Sequence, residues 1–147
     1  MYTKRNTIGK FWPVPRKGTK FIISPSNNRD KGMPLLVILR DILKFVETRK
    51  ELKKLILEGK IIVNQNKVRE ENYSLVLFDT LNLPEANKSY KFTILLGGKF
   101  GLVEISEKES KFKIAKILNK RIIKNKLTQI NLSDGRNVLS KEKCLVE

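Results

Sequence analysis

The 147-residue sequence predicts an α+β protein, and three observations carry that prediction. Helical periodicity is confined to residues 34–58, a tight hairpin follows directly behind it, and from about residue 88 onward the hydrophobic period changes to two. The expected order is a basic N-terminal arm over residues 1–33, a small helical module with a β-hairpin over residues 34–84, and an antiparallel β-barrel-like domain over residues 85–147.

The arm contains Pro13, Pro15 and Pro25 and a polar stretch from Ser24 to Asn28, with Phe21–Ile23 as a short strand. Residues 1–20 have few apolar side chains and no periodic pattern, so they are expected to lack structure alone and to order on a partner. A first helix runs from Pro34 to Val46, with proline in the first turn, where its missing N–H costs nothing. Leu35, Leu36, Ile38, Leu39, Ile42, Leu43 and Val46 are too many for one stripe, so this helix is expected to be covered on more than one side.

The second helix is marked at both ends. Thr48 and Glu51 form a capping box, and Gly59 stands where a left-handed C-cap needs no Cβ. Leu52, Leu55 and Ile56 supply one buried stripe, while Arg49 with Lys53 and Lys50 with Lys54 are like-charge i, i+4 pairs on the outward side. Each such pair costs a helix a few tenths of a kcal/mol. Four cations held together at that cost point to phosphates. Lys60–Val63 and Lys67–Arg69 flank Asn64, Gln65 and Asn66, and asparagine tolerates the positive φ of a hairpin turn. Leu75–Phe78 is expected to pack beneath the helices, with Asp79 at the turn before a strand over Thr80–Leu83.

Beyond residue 88, Tyr90–Leu96 and Lys99–Ile105 read as a hairpin about Gly97 and Gly98. Ser106 and Glu109 repeat the capping-box spacing, so a helical turn precedes a strand over Phe112–Leu118. Arg121–Ile123, Leu127–Leu132 and Asn137–Leu139 are short strands, with a turn at Asp134 and Gly135.

Composition narrows the function. There are 31 Lys and Arg against 15 Asp and Glu, a formal charge of +16. Self-repulsion on this scale favours a polyanionic partner, nucleic acid first. A membrane surface is the poorer fit, because the basic helix has only a narrow Leu/Ile stripe suited to its neighbour in the fold. The apolar run of the first helix is interrupted by Arg40 and Asp41, and no apolar run follows Lys4 and Arg5 as in a signal peptide. Histidine is absent and Cys144 is the single cysteine, expected as a small filler near the end of a strand. His-based acid–base chemistry, His or Cys metal sites and an internal disulfide are thereby excluded, consistent with a reducing cytoplasm. Asp41, Asp79 and Asp134 have no neighbour that would tune them for catalysis, and Gly97–Gly98 lacks a phosphate-loop lysine. The expectation is no enzyme, no cofactor, no metal and no small-molecule substrate.

The expected RNA contacts fall in three groups. In the arm they are Lys4, Arg5, Lys10, Trp12, Arg16, Lys17 and Lys20, where Phe11 and Trp12 among cations have the character of a stacking and phosphate-tracking segment. On the helices they are Arg40, Lys44, Arg49, Lys50, Lys53 and Lys54. At the hairpin they are Lys60, Lys67 and Arg69, the last being suited to a bidentate phosphate contact.

Helix, basic helix and hairpin together resemble the S-four RNA-binding domain, whose hairpin usually carries Val-Asn-Gly or Val-Asp-Gly. Val63-Asn64-Gln65-Asn66 departs from it, having no glycine and one extra residue. Phe11–Lys20, Pro34–Leu43, Leu102–Ser106 and Asn131–Asn137 occur in the order of the archaeal S-four-e family of small-subunit ribosomal proteins, which this chain resembles from about residue 10 to about residue 140. The family's Gly-Pro-His stretch is replaced here by Asn27–Gly32, and the family's C-terminal KOW-type domain is not included in this sequence. The resemblance implies a structural constituent of the cytoplasmic small ribosomal subunit, with small-subunit rRNA and neighbouring ribosomal proteins as partners. The alternatives are a free-standing S-four protein of RNA quality control or heat-shock type, which would lack the aromatic arm and β-domain motifs, and an accessory to an RNA-modifying enzyme.

Overall fold

A computed structural model of the chain describes residues 2–27, 29, 31–123 and 127–140. The chain packs as two units, Met1–Lys113 and Ile114–Glu147. Its class is α+β. The expected boundary at residues 84/85 falls inside a continuous sheet of the first unit, and the break in packing lies at 113/114. Cys144 lies outside the described residues.

In the first unit, β1 (Tyr2–Lys4) pairs antiparallel with β2 (Phe21–Ile23), Thr3 opposite Ile22. The arm is therefore ordered in the protein alone, contrary to the expectation from its composition. Two contacts explain the difference. The Arg5 guanidinium donates to the Pro15 carbonyl at 2.7 Å, to the Thr19 carbonyl at 2.7 Å and to Thr19 Oγ1 at 2.9 Å, pinning the intervening loop. The Phe100 N–H donates to the Phe11 carbonyl at 2.7 Å, and the Phe11 ring lies 5.9 Å from that of Phe100. Trp12 is only 6% exposed and belongs to the core. Its ring is thus not the free stacking platform expected.

β3 (Met33–Pro34) leads into α1 (Leu35–Val37), which widens into a π-helical turn over Ile38–Ile42. The N–H of Leu43 donates to the Ile38 carbonyl at 3.0 Å, the i to i−5 bond of such a turn. Lys44 then takes φ 52° and the helix stops short of the expected Val46. A left-handed lysine costs about 1 kcal/mol, and the reversal returns Val46 to the core, its N–H donating to the Leu39 carbonyl at 3.4 Å. α2 (Arg49–Leu57) begins as expected: Thr48 Oγ1 accepts from the Glu51 N–H at 3.2 Å, and the Glu51 carboxylate accepts from the Glu47 N–H at 2.9 Å. Leu52 and Ile56 are buried, each worth about 1.5–3 kcal/mol, and Gly59 has φ 69°.

β4 (Ile62–Val63), β5 (Asn66–Lys67), β6 (Ser74–Leu75), β7 (Thr80–Leu83), β8 (Lys88–Ile94) and β9 (Phe100–Ile105) follow. β6 pairs with β3, and the rest form one antiparallel sheet of order β5-β4-β7-β8-β9. Val63 pairs with Asn66, so the β4–β5 loop is Asn64–Gln65 alone, with φ 48° and 67°. That is the left-handed pair of a two-residue type I′ hairpin. Asn66, expected in the turn, belongs to the strand. Leu75 is buried as expected, but Phe78, at φ 67°, is 42% exposed under Lys91. α3 (Glu107–Ser110) is capped by Ser106.

In the second unit, β10 (Ile117–Ile122), β11 (Thr128–Leu132) and β12 (Asn137–Ser140) form a three-stranded antiparallel sheet, with a register shift between Ile117 and Asn119. The expected strand over 112–118 is realised only from Ile117. The turn before β12 is closed by Asp134, which accepts from the Arg136 N–H at 3.0 Å.

One buried carboxylate ties the first unit together. Asp79 is 0% exposed. Its Oδ1 accepts from Asn64 Nδ2 at 2.7 Å and from the Lys113 ammonium, and its Oδ2 accepts from the Val76 N–H at 2.9 Å. Asn64 Oδ1 in turn accepts from the Thr80 N–H at 3.0 Å. Asp79→Ala would strand Lys113, Asn64 and a backbone donor together. Breaking a buried pair from one side costs about 3–5 kcal/mol, and urea denaturation should record a loss of that order. A loss below about 1 kcal/mol would show that the network does not support the fold.

A second charged contact holds the arm. Arg49 Nε lies 2.7 Å from both Glu71 oxygens, and Arg49 also donates to Tyr2 Oη at 2.6 Å with its guanidinium over the Tyr2 ring. The hydrogen bond from Arg49 holds the Glu71 carboxyl below its ordinary value of 4.5, against the opposing effect of burial. A depressed carboxylate stabilises the fold above its unfolded value and loses that contribution as pH falls through the folded one. Stability should therefore fall as pH drops below about 4.5, and Glu71→Gln should flatten that part of the profile. Parallel profiles for parent and variant would contradict the contact.

Candidate nucleic-acid interface

Helix α2 displays Lys50, Lys53, Lys54 and Leu57 at i, i+3, i+4 and i+7, which places them on one face. All four are exposed, and Leu57 reaches 87%. Leu57 on this face escaped the sequence reading, which took only the buried stripe of Leu52, Leu55 and Ile56. Lys54 stands 3.9 Å from Glu58, while Lys50 and Lys53 have no ion-pair partner among the described residues. The face is held outward because Leu52 and Ile56, on the other side, are locked into the core.

The hairpin adds to this surface. Gly59 turns the chain at the end of α2, and a Cβ there would meet the Lys67 side chain at 3.2 to 3.4 Å. The stem of Lys67 thus crosses the helix terminus. A groove of about 300 Å³ is lined by Lys53, Ile56, Leu57, Arg69 and Glu71 among others, so Arg69 and Lys53 border one depression. Arg69 and Lys67 are exposed, without an ion-pair partner among the described residues. Glu70 and Glu71 also line this groove, and Glu71 feels the charge of Lys53, so a sugar-phosphate strand would run along the cationic rim of Lys50, Lys53, Lys67 and Arg69, with sugar or base against Leu57.

Other expected contacts have internal partners. Arg49 is engaged by Glu71 and Tyr2 as described. Lys60 bridges Glu58 and Glu85, each at 2.5 Å. Arg40 binds its neighbour Asp41, Nε to Oδ1 at 2.8 Å and Nη2 to Oδ2 at 3.0 Å. Hydrogen bonds donated to those carboxylates raise the Lys60 ammonium and the Arg40 guanidinium above their ordinary values. These three are neutralised where they stand. Lys44 is exposed at its left-handed turn, and in the arm Lys4, Lys10, Arg16, Lys17 and Lys20 are exposed, Lys20 lying 5.6 Å from the Phe21 ring. Arg5 is consumed by its own loop. Among the described residues no group of three or more Cys, Asp or Glu side chains is placed to hold a metal ion. No helix of the described residues is long and apolar enough to cross a membrane.

Known proteins share this arrangement of elements. Residues 33–81 match the S4 domain, and residues 86–147 match ribosomal family S4e. Small ribosomal subunit protein eS4 of Methanocella arvoryzae is 34% identical over 142 residues, 95% of this chain and 60% of that protein. The eS4 protein of Staphylothermus marinus is 37% identical over 135 residues, 90% of this chain and 54% of that protein. The chain thus spans a little over half the length of these relatives. The crystal structure of 30S ribosomal protein S4e from Thermoplasma acidophilum shares the fold, with a TM-score of 0.61 and 24% identity over 79% of this chain and 59% of that one. Residues 33–81 thus form an S4 domain, and residues 86–147 carry the segment of ribosomal family S4e.

Proposed function

We propose that the protein is a structural constituent of the small ribosomal subunit in the cytoplasm, binding small-subunit rRNA through the exposed cations of α2 and the β4–β5 hairpin. The observation that carries this reading is the exposed set Lys50, Lys53, Lys67 and Arg69, without ion-pair partners among the described residues, on helix α2 and the hairpin that follows it in a chain of charge +16. Like charges so arranged repel one another, and a phosphate backbone relieves that repulsion while releasing its own counterions. The names of the relatives favour the ribosomal setting over a free-standing role in quality control, since the similarity continues through the segment after residue 86. Residues 34–84 would serve as the binding module, and residues 85–147 would meet further rRNA or neighbouring ribosomal proteins. The role is assembly and support, with no chemical step.

The arm acts differently from the sequence expectation. It is already strapped to the sheet through Phe11 and Phe100, so binding requires little ordering of residues 2–20. Preorganised contacts of this kind avoid the entropy of folding on binding.

Changing Lys50, Lys53 and Lys54 together to Gln should leave the thermal midpoint nearly unaltered, because none of the three is buried. Affinity for small-subunit rRNA should fall, and the slope of log affinity against log salt should flatten by about 0.7–0.9 for each phosphate no longer neutralised. An unchanged slope would remove α2 from the interface. Failure of the native protein to sediment with small subunits would overturn the ribosomal assignment itself.

A further inference from the structure

A cavity in the arm lies apart from the α2 and hairpin surface. It has a volume of about 490 Å³ and is lined by Ile8, Lys10, Trp12, Val14, Arg16 and Lys99, with Arg5, Asn6 and Gly9 completing the wall. The volume falls within the range of about 300–1,000 Å³ typical of small-ligand sites. Its chemistry is one-sided. Lys10, Arg16 and Lys99 are exposed at the rim, and no carboxylate contributes to the lining. Ile8, Trp12 and Val14 give it an apolar wall.

The cavity is built into the fold. The loop that carries Arg16 is pinned by the Arg5 guanidinium, which is thereby committed to Pro15 and Thr19. The side that carries Lys99 is fixed to the arm through the Phe100 to Phe11 hydrogen bond at 2.7 Å. Trp12 is held in the core by its burial, so the wall it forms is rigid. Lys99, at the hairpin turn next to Gly97 and Gly98, had no role in the sequence reading. The structure brings it to Lys10 and Arg16, 83 to 89 positions away in the chain.

A rim of cations over an apolar wall fits a ligand with one anionic end and one flat apolar body. We infer that this cavity receives a single unpaired nucleotide of RNA, its base against Ile8, Val14 and the small exposed part of Trp12, and its phosphates on Lys10, Arg16 and Lys99. A base within a duplex cannot present its face to such a wall, whereas an unstacked base in a loop or bulge can. This inference rests on the reading of the protein as an RNA binder and adds to it a second site with a preference for single strands.

Trp12 is the only tryptophan and lines this cavity, so its fluorescence reports on the cavity and the core around it. The experiment titrates the full chain with a 12-nucleotide single-stranded RNA, a 12-base-pair RNA duplex, uridine monophosphate and inorganic phosphate. Binding is followed in parallel by filter retention for the RNAs. Single-stranded RNA should change Trp12 emission, while the duplex binds without changing it. Uridine monophosphate and phosphate at the same concentrations should leave emission unaltered, because they lack the flanking phosphates. The variant Lys10→Gln, Arg16→Gln, Lys99→Gln should keep its thermal midpoint. Its preference for single strand over duplex should drop at least about tenfold, the size expected when one base is no longer held. Single-strand binding with unaltered Trp12 emission, or an undiminished preference in the triple variant, would overturn the cavity site while leaving the α2 interface standing. A response to uridine monophosphate equal to that of the oligonucleotide would overturn the RNA assignment in favour of free nucleotides. Absence of binding to either RNA would overturn both the cavity site and the RNA reading.

Discussion

The Asp79 carboxylate, with no exposure to solvent, is the constraint on which the placement of the proposed interface depends. It faces the side chain of Asn64 in the hairpin turn, the backbone of Val76 and the ammonium of Lys113. A buried ion pair is weak support for net stability, since desolvation offsets much of its attraction. Its contribution is register. Asn64 can satisfy Asp79 and the Thr80 N–H together only with the turn centred on Asn64–Gln65, and a slip of one residue would send each strand residue to the opposite face. That register places Lys67 across Gly59 and brings Arg69 to the groove beside Lys53.

The cations of the first unit divide into two classes by what lies beside them. Arg5, Arg40, Arg49 and Lys60 are held by carbonyls or carboxylates of the chain, and they fasten the arm, the first helix and the approach to strand β4. Lys50, Lys53, Lys67 and Arg69 have no such partner among the described residues. Exposed ion pairs contribute little to stability individually, so the second class gains little from folding and much from a polyanion. The same division separates scaffold from proposed interface without reference to any relative.

Much of this was legible locally. The Thr48 and Glu51 cap and the left-handed Gly59 are signals contained within a few residues, and both form as expected. The β8–β9 hairpin also forms, but its strands end at Ile94 and start at Phe100, which leaves Leu95 and Leu96 exposed in the loop. The missed features depend on partners far away in sequence. Arg49 meets Glu71 and Asp79 meets Lys113, separations of 22 and 34 residues that leave no periodic trace. Trp12 looked exposed because its own segment is polar and basic; the core that buries it includes Phe92 and Phe100 from the distant sheet. The hairpin was misjudged by one residue because glycine is the usual occupant of its second position, and Gln65 adopts the left-handed conformation there while its side chain donates to the Ser110 carbonyl at 3.2 Å. Fold class followed from period and composition, whereas the sorting of cations into structural and free ones required the tertiary contacts.

Unpaired lysines around α2 and the hairpin are proposed to form the rRNA contact, while paired ones are not. Lysine-specific chemical labelling with mass-spectrometric readout, with and without small-subunit rRNA, tests this residue by residue in one sample. Lys50, Lys53 and Lys67 should lose reactivity on binding, while Lys60, already bridged between Glu58 and Glu85, should change little. Protection confined to Lys88, Lys108 and Lys111, with α2 still fully reactive, would contradict the assignment.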